Sequence, residues 1–154
     1  MSEQQAPVFS IEKLYVKDAS LEVPNAPQCF MEQQAPEIGV QMQTTGTGVG
    51  EGIFDVVLTV TVTAKVGEKV LFLVEVSQAG LFLIRNVPES EVEPIVAIAC
   101  PNILLPFARE AVSDAVSRAG FPPVLLAPVN FENLYRQRQE QMASQVGGQE
   151  VPIQ

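Results

Sequence analysis

A chain of 154 residues is the size of one domain. Its 18 acidic and 9 basic residues give a formal charge of −9, the wrong sign for displacing counterions from nucleic acid or for settling on an anionic membrane. Histidine is absent, which removes the usual general base, proton shuttle and commonest metal ligand. No Walker-type loop, GxGxxG or GxSxG is present either, so the chain reads as a binding protein and not an enzyme, with no cofactor and no metal.

At 47% apolar residues and a mean hydropathy of +0.20, apolar side chains are left over once one core is filled, pointing to subunit contacts or a ligand surface. Met1-Ser2-Glu3-Gln4-Gln5 lacks the basic and apolar regions of a signal peptide. The longest apolar runs, Ile95 to Cys100 and Val70 to Val74, are too short to span a bilayer, so a cytoplasmic protein without membrane insertion is expected. Cys29 and Cys100 fit neither a disulfide framework nor a CxxC metal site.

In chain order, Val8 to Lys17 reads as a strand with Phe9, Ile11 and Tyr15 on one face and Val8, Leu14 and Val16 on the other. Val23-Pro24-Asn25-Ala26-Pro27 stops it, and a long loop runs to Pro36. Glu37 to Gln43 alternates, with Ile38, Val40 and Met42 on one side. The four glycines of Thr44 to Gly52 read as a flexible loop tip. Ile53 to Ala64 is the strongest strand, and after a turn at Lys65-Val66-Gly67-Glu68, Val70 to Val76 returns as its antiparallel partner. Gln78-Ala79-Gly80 reads as a bulge before Leu81 to Ile84.

From Ser90 the period becomes helical. Ser90-Glu91-Val92-Glu93 has capping-box spacing and opens a short helix to Ala99, which Pro101 interrupts. Ile103, Leu104, Phe107, Ala108, Ala111, Val112, Ala115 and Val116 then form one apolar face of a second segment, ended by Arg118 and Gly120. Phe121 to Pro128 is an extended connector, and Asn130 caps a last helix through about Gln145, with a thin stripe of Phe131, Leu134, Tyr135 and Met142. The organisation expected is a flexible N-terminus (1–7), one α+β domain (8–145) and a flexible tail (146–154), the sheet being four-stranded and antiparallel.

Three blocks carry a resemblance: Tyr15-Val16-Lys17-Asp18 with Pro24-Asn25-Ala26-Pro27; Cys100-Pro101-Asn102-Ile103-Leu104-Leu105-Pro106-Phe107-Ala108-Arg109-Glu110; and Ser117-Arg118, Gly120-Phe121 and Leu126-Ala127-Pro128-Val129-Asn130-Phe131. Over about residues 8 to 140 the chain resembles SecB, the bacterial protein-export chaperone. The resemblance implies a four-stranded antiparallel sheet with two main helices packed on one side, assembled as a homotetramer, a dimer of dimers. It implies a cytoplasmic holdase that keeps preproteins unfolded and hands them to the translocase motor SecA. Ile38, Val40, Met42, Phe131, Leu134 and Tyr135 match positions lining the family's client groove; on pattern alone they also read as ordinary core.

Asp18, Glu22, Leu73 and Glu75 match the SecA-facing surface, where the plain alternative is solvated surface charge. Val74, Val76 and Gln78 match positions between subunits, or else form one more buried sheet face. Two departures stand out: Gln33-Gln34-Ala35-Pro36 lacks the tryptophan often found there, and Gly147-Gly148-Gln149-Glu150-Val151 carries one acid where many family tails are acidic. An adaptor that binds one folded partner through the acidic face remains as an alternative.

Overall fold

The computed structural model describes the backbone of residues 5–150 and the side chains of 5–145. Most of the expected N-terminal segment and the last four residues of the expected tail lie outside the described residues or at their margin.

Strands β1 (Val8–Glu22), β2 (Glu37–Gly50), β3 (Ile53–Val66) and β4 (Lys69–Arg85) form one antiparallel sheet in the order β1-β4-β3-β2. Strand β3 alternates because Val56, Leu58, Val60, Val62 and Ala64 all bury one face, while Thr59, Thr61 and Thr63 stay half-exposed on the other. Both hairpins close through tight turns that need a positive φ, supplied by Gly52 (φ 72°) and Gly67 (φ 62°). Strand β2 runs without a break to Gly50, so the glycine-rich stretch from Thr44 is strand and not a loop tip. Glycine weakens a strand only through lost packing and entropy, and here the pairing of Thr44 to Gly48 with Leu58 to Phe54 overrides it.

Helix α1 (Glu89–Pro94), a π-helical turn (Ile95–Ala99) and α2 (Cys100–Arg118) make one continuous helix. Pro101 does not interrupt it. A proline lacks the amide for the i−4 carbonyl and its ring crowds that carbonyl. The chain absorbs the conflict by widening one turn, so that Cys100 N–H donates to the Ile95 carbonyl five residues back. Ser90 does not cap the helix, which opens at Glu89 with Pro88 at the cap position and no side-chain cap bond.

The continuous helix is apolar and long enough to cross a membrane by composition alone. Its apolarity serves the core: Cys100, Leu104, Ala108, Val112 and Val116, spaced by four, press on the inner sheet face. Phe107, expected in the same face, is 42% exposed, because the buried stripe is narrower than the sequence suggests. Gly120 (φ 94°) ends the helix as expected. Helix α3 (Phe131–Glu150) starts where Asn130 Oδ1 accepts the Asn133 amide at 3.0 Å.

Strand β1 departs from simple alternation twice, since its pairing with β4 skips Glu12 and skips Lys17. Each bulge reverses which face the following residues occupy. Phe9, Ile11, Leu14, Val16 and Leu21 therefore all pair with inner-face positions of β4, and Tyr15 stands on the outer face, apart from Phe9 and Ile11. The irregularity expected at Gln78-Ala79-Gly80 lies opposite, on β1; β4 itself pairs continuously with β3 from Phe72 to Leu83.

Val74 and Val76, expected between subunits, are 1% exposed within the single protomer, paired with Val62 and Val60 in the core cluster that α2 completes. Gln78 is buried too, and its Nε2 donates to the Tyr15 carbonyl at 3.1 Å. None of the three offers surface to a second copy.

The π-helical turn crosses β2 at Gly46, where an added Cβ would run into the Val96 side chain. Gly46→Val should destabilise the fold by about 1–3 kcal/mol through overpacking. Val96→Ala in the same chain should recover most of the loss in urea unfolding; two additive losses would mean the crossing is not the cause.

Candidate functional site

Two surfaces concentrate the chemistry, one apolar and one acidic, on opposite faces of the sheet. Helix α3 is held at its N-terminal end, where Phe131 is the buried anchor; a side chain of that size contributes roughly 1.5–3 kcal/mol when buried. Beyond it the helix is mostly Gln and Arg, braced by the exposed Glu132–Arg136 pair at 3.5 Å, which adds little. A groove of about 230 Å³ opens between β2, the π-helical turn and α3, lined by Met42, Val96, Phe131, Leu134 and Tyr135, with Glu93 and Arg138 at its polar margin.

Four of the six expected groove residues thus come together. Ile38 and Val40 do not join them. Both are 44% exposed further along β2, and Ile38 borders a second, larger cavity of about 570 Å³. That cavity holds an aromatic cluster the sequence reading missed: Phe121 lies 5.2 Å from Phe30 and 5.0 Å from Phe72, ring centre to ring centre. Aromatic side chains therefore occupy this region although the preceding loop has no tryptophan. Leu125 at 76% exposure and Met31 at 80% leave apolar surface nearby open to solvent. The cue was the phenylalanine at each end of the proline-rich segments, Phe30 and Phe121, but only the fold brings them together.

On the outer face, Glu22 pairs with Leu73, Ser20 with Glu75 and Asp18 with Ser77. Antiparallel register thus gathers Asp18, Glu22, Leu73 and Glu75 into one patch. Among the described residues none of its three carboxylates has an ion-pair partner; the pairs formed are Lys17–Asp55, Arg118–Asp114 and Arg136–Glu132.

Beside the patch lies a buried carboxylate that the sequence reading passed over. Asp55 on β3 accepts the Tyr15 hydroxyl at 2.6 Å and the Lys17 ammonium at 3.0 Å. Tyr15 reaches it by crossing β4 over Ala79, a residue small enough to lie beneath the ring. Donating to a carboxylate, and facing its charge, pushes the Tyr15 phenol up to about 12. Both cysteines are free and buried, and burial pushes the Cys100 thiol up to about 12, so that thiol is not poised as a nucleophile.

The family model described as "Preprotein translocase subunit SecB" matches residues 2–142. This chain belongs to the SecB family of protein-export chaperones. It is 61% identical to "Protein-export protein SecB" of Dechloromonas aromatica (strain RCB) over 154 residues, all of both chains. It is 63% identical to the protein of that name from Chromobacterium violaceum over 145 residues, 93% of this chain and 97% of that one. Among solved structures, the Mycobacterium tuberculosis SecB-like chaperone in complex with a ChAD peptide from the HigA1 antitoxin shares the fold. Its TM-score is 0.66 at 18% identity, covering 79% of this chain and 90% of that one.

In a Tyr135→Phe background Tyr15 is the one tyrosine left, so its ionisation can be followed by ultraviolet absorbance. It should titrate near 12, and Asp55→Asn should bring it down towards about 10. The phenol is raised in the fold, so its contribution to stability is complete below about pH 10 and fades as pH rises through 12. An unaltered titration in Asp55→Asn would deny the carboxylate its part.

Proposed function

We propose that the chain is a cytoplasmic holdase that captures unfolded preproteins on the two cavities of its helix-bearing side and passes them to SecA through the acidic outer face, working as a homotetramer. The observation that carries this reading is the pair of cavities on the helix-bearing side: the larger is walled mainly by apolar side chains, Phe30, Phe72, Phe121 and Leu125 among them, and the smaller sets Met42, Val96, Phe131 and Leu134 beside the polar Thr44, Glu93, Tyr135 and Arg138. Phenylalanines, Met42 and a half-exposed β2 accept apolar segments of varied shape. The related fold was solved with a bound peptide, which favours the same use here.

Capture of this kind needs no turnover, and the free carboxylates Asp18, Glu22 and Glu75 around Leu73 suit a basic partner segment. Assembly has support in β1, where Phe9, Ile11, Val16 and Leu21 are exposed on the inner side, with Phe107 of α2 lining the same hollow as Val16. Apolar surface of that extent at a sheet edge favours cover by a second copy.

Light scattering should give a particle near four times 16.7 kDa that suppresses aggregation of a denatured preprotein on dilution without nucleotide. A chain that binds one folded partner and no unfolded ones would instead be an adaptor.

Replacing Asp18, Glu22 and Glu75 together with Ala should remove SecA affinity and leave client capture intact. SecA binding should also weaken as salt shortens the Debye length below about 8 Å, with client binding less affected. Loss of both activities in the triple variant would mean misfolding.

Val16→Asp should split the oligomer and leave a folded protomer. Val74→Asp, by contrast, places an unpaired carboxylate in the protomer core and should cost several kcal/mol of stability in urea unfolding. An intact tetramer in the first variant would move the interface off β1.

A further inference from the structure

One run of chain serves both cavities. After α2, residues 121–129 belong to no helix or strand. Phe121, Pro122, Pro123, Val124 and Leu125 line the larger cavity, and Phe131, where α3 begins, lines the smaller one. Such a connector needs partners for its backbone groups, and Pro122, Pro123 and Pro128 have no amide to offer in return.

Its two ends are held: the Phe121 amide donates to the Val116 carbonyl at 3.2 Å, and Asn130 caps α3. Between them the connector makes one hydrogen bond to the rest of the protein among the described residues. Arg109 of α2 donates its Nε–H to the Leu126 carbonyl at 3.1 Å. Arg109 has no carboxylate within ion-pair distance among the described residues, so this carbonyl is the one protein group its guanidinium holds. An ionised donor makes the bond stronger than one between neutral groups.

The position of that bond matters for the wall. Val124 is half-buried, Leu125 is 76% exposed and Leu126 is 5% exposed, so successive side chains turn to the core, to the cavity and to the core again. In a segment that alternates in this way the carbonyls stand sideways to the side chains. Pinning the Leu126 carbonyl to α2 therefore fixes the rotation of the connector about its own axis, and with it the outward aim of Leu125. Neither Arg109 nor Leu126 lines either cavity, so the contact acts on the wall and not on what enters.

We infer that Arg109 is a positioning residue for client capture: it pins the connector at Leu126, holding Val124 and Leu125 in the wall of the larger cavity and leading the chain to Phe131 in the smaller, without touching the client. This rests on the reading of the two cavities as the client-binding surface.

The experiment measures the affinity of the full chain for a denatured, fluorescein-labelled preprotein, with urea unfolding recorded to show that each variant is folded under the binding conditions. Arg109→Met keeps the aliphatic stem and removes the donor, and should weaken capture about tenfold. Arg109→Lys returns one charged donor and should bring capture back to within about threefold of the unaltered chain. In a Phe30→Ala/Leu125→Ala background, where two exposed side chains of the larger cavity are cut back, Arg109→Met should add less than half of its loss. A folded Arg109→Met variant that is less stable yet captures client normally would overturn the inference, leaving Arg109 a role in stability alone. Losses that add in full would also overturn it, because Arg109 would then act independently of the wall. Normal capture by Phe30→Ala/Leu125→Ala itself would instead sink the cavity reading on which the inference stands. If Arg109→Met does not fold, Arg109→Lys decides, and a folded Lys variant with the full tenfold loss would overturn the assignment.

Discussion

One helix lies across one face of a four-stranded sheet and is too narrow to cover it. Four strands spaced by about 4.8 Å put the outer two roughly 14 Å apart before side chains are counted, against about 10 Å for a helix. Helix α2 spends its buried stripe of Leu104, Ala108, Val112 and Val116 on the central strands β3 and β4, whose inner residues are almost wholly buried. Both flanks keep apolar side chains that the protomer does not cover: Ile38 and Val40 on β2, and Phe9, Ile11, Val16 and Leu21 on β1. The surplus of apolar residues over one core is thus divided between two edges with different neighbours.

On the β2 side the neighbours are small and loosely attached. The π-helical turn approaches β2 closely at Gly46, and α3 hangs from Phe131 and the Asn130 cap, with Tyr135 half-buried and its other described side chains exposed. A wall fixed at one end, beside phenylalanine and methionine side chains, yields to varied apolar chains more readily than a rigid pocket does. On the β1 side the apolar side chains Phe9, Ile11, Val16 and Leu21 stand exposed along the inner face with only α2 beside them.

The sheet's outer face carries no helix and is free to be polar. Threonines of β3, the Thr59–Ser77 hydroxyl contact and three carboxylates without an ion-pair partner among the described residues set it apart from the inner face. The same architecture keeps the cavities and the acidic patch on opposite faces of the sheet.

Periodicity and local chemistry by themselves determined the strong strand β3, its hairpin with β4, the helical face after Ile103, the Asn130 cap and the Gly120 stop. Each of these depends on residues within a few positions of one another. The composition and the three motif blocks also carried the family, and the register-matched patch of Asp18, Glu22, Leu73 and Glu75 came with it. Only the tertiary structure decided the rest. The two bulges of β1 depend on its pairing with a strand more than fifty residues away, and the glycine-rich end of β2 is strand because Val56 and Leu58 lie beside it. Pro101 stays helical because the packed core rewards one continuous helix enough to tolerate a π-helical turn. The placement of Val74 and Val76 beneath α2, and the gathering of Phe30, Phe72 and Phe121, are likewise long-range contacts, and no local pattern in the sequence encodes them.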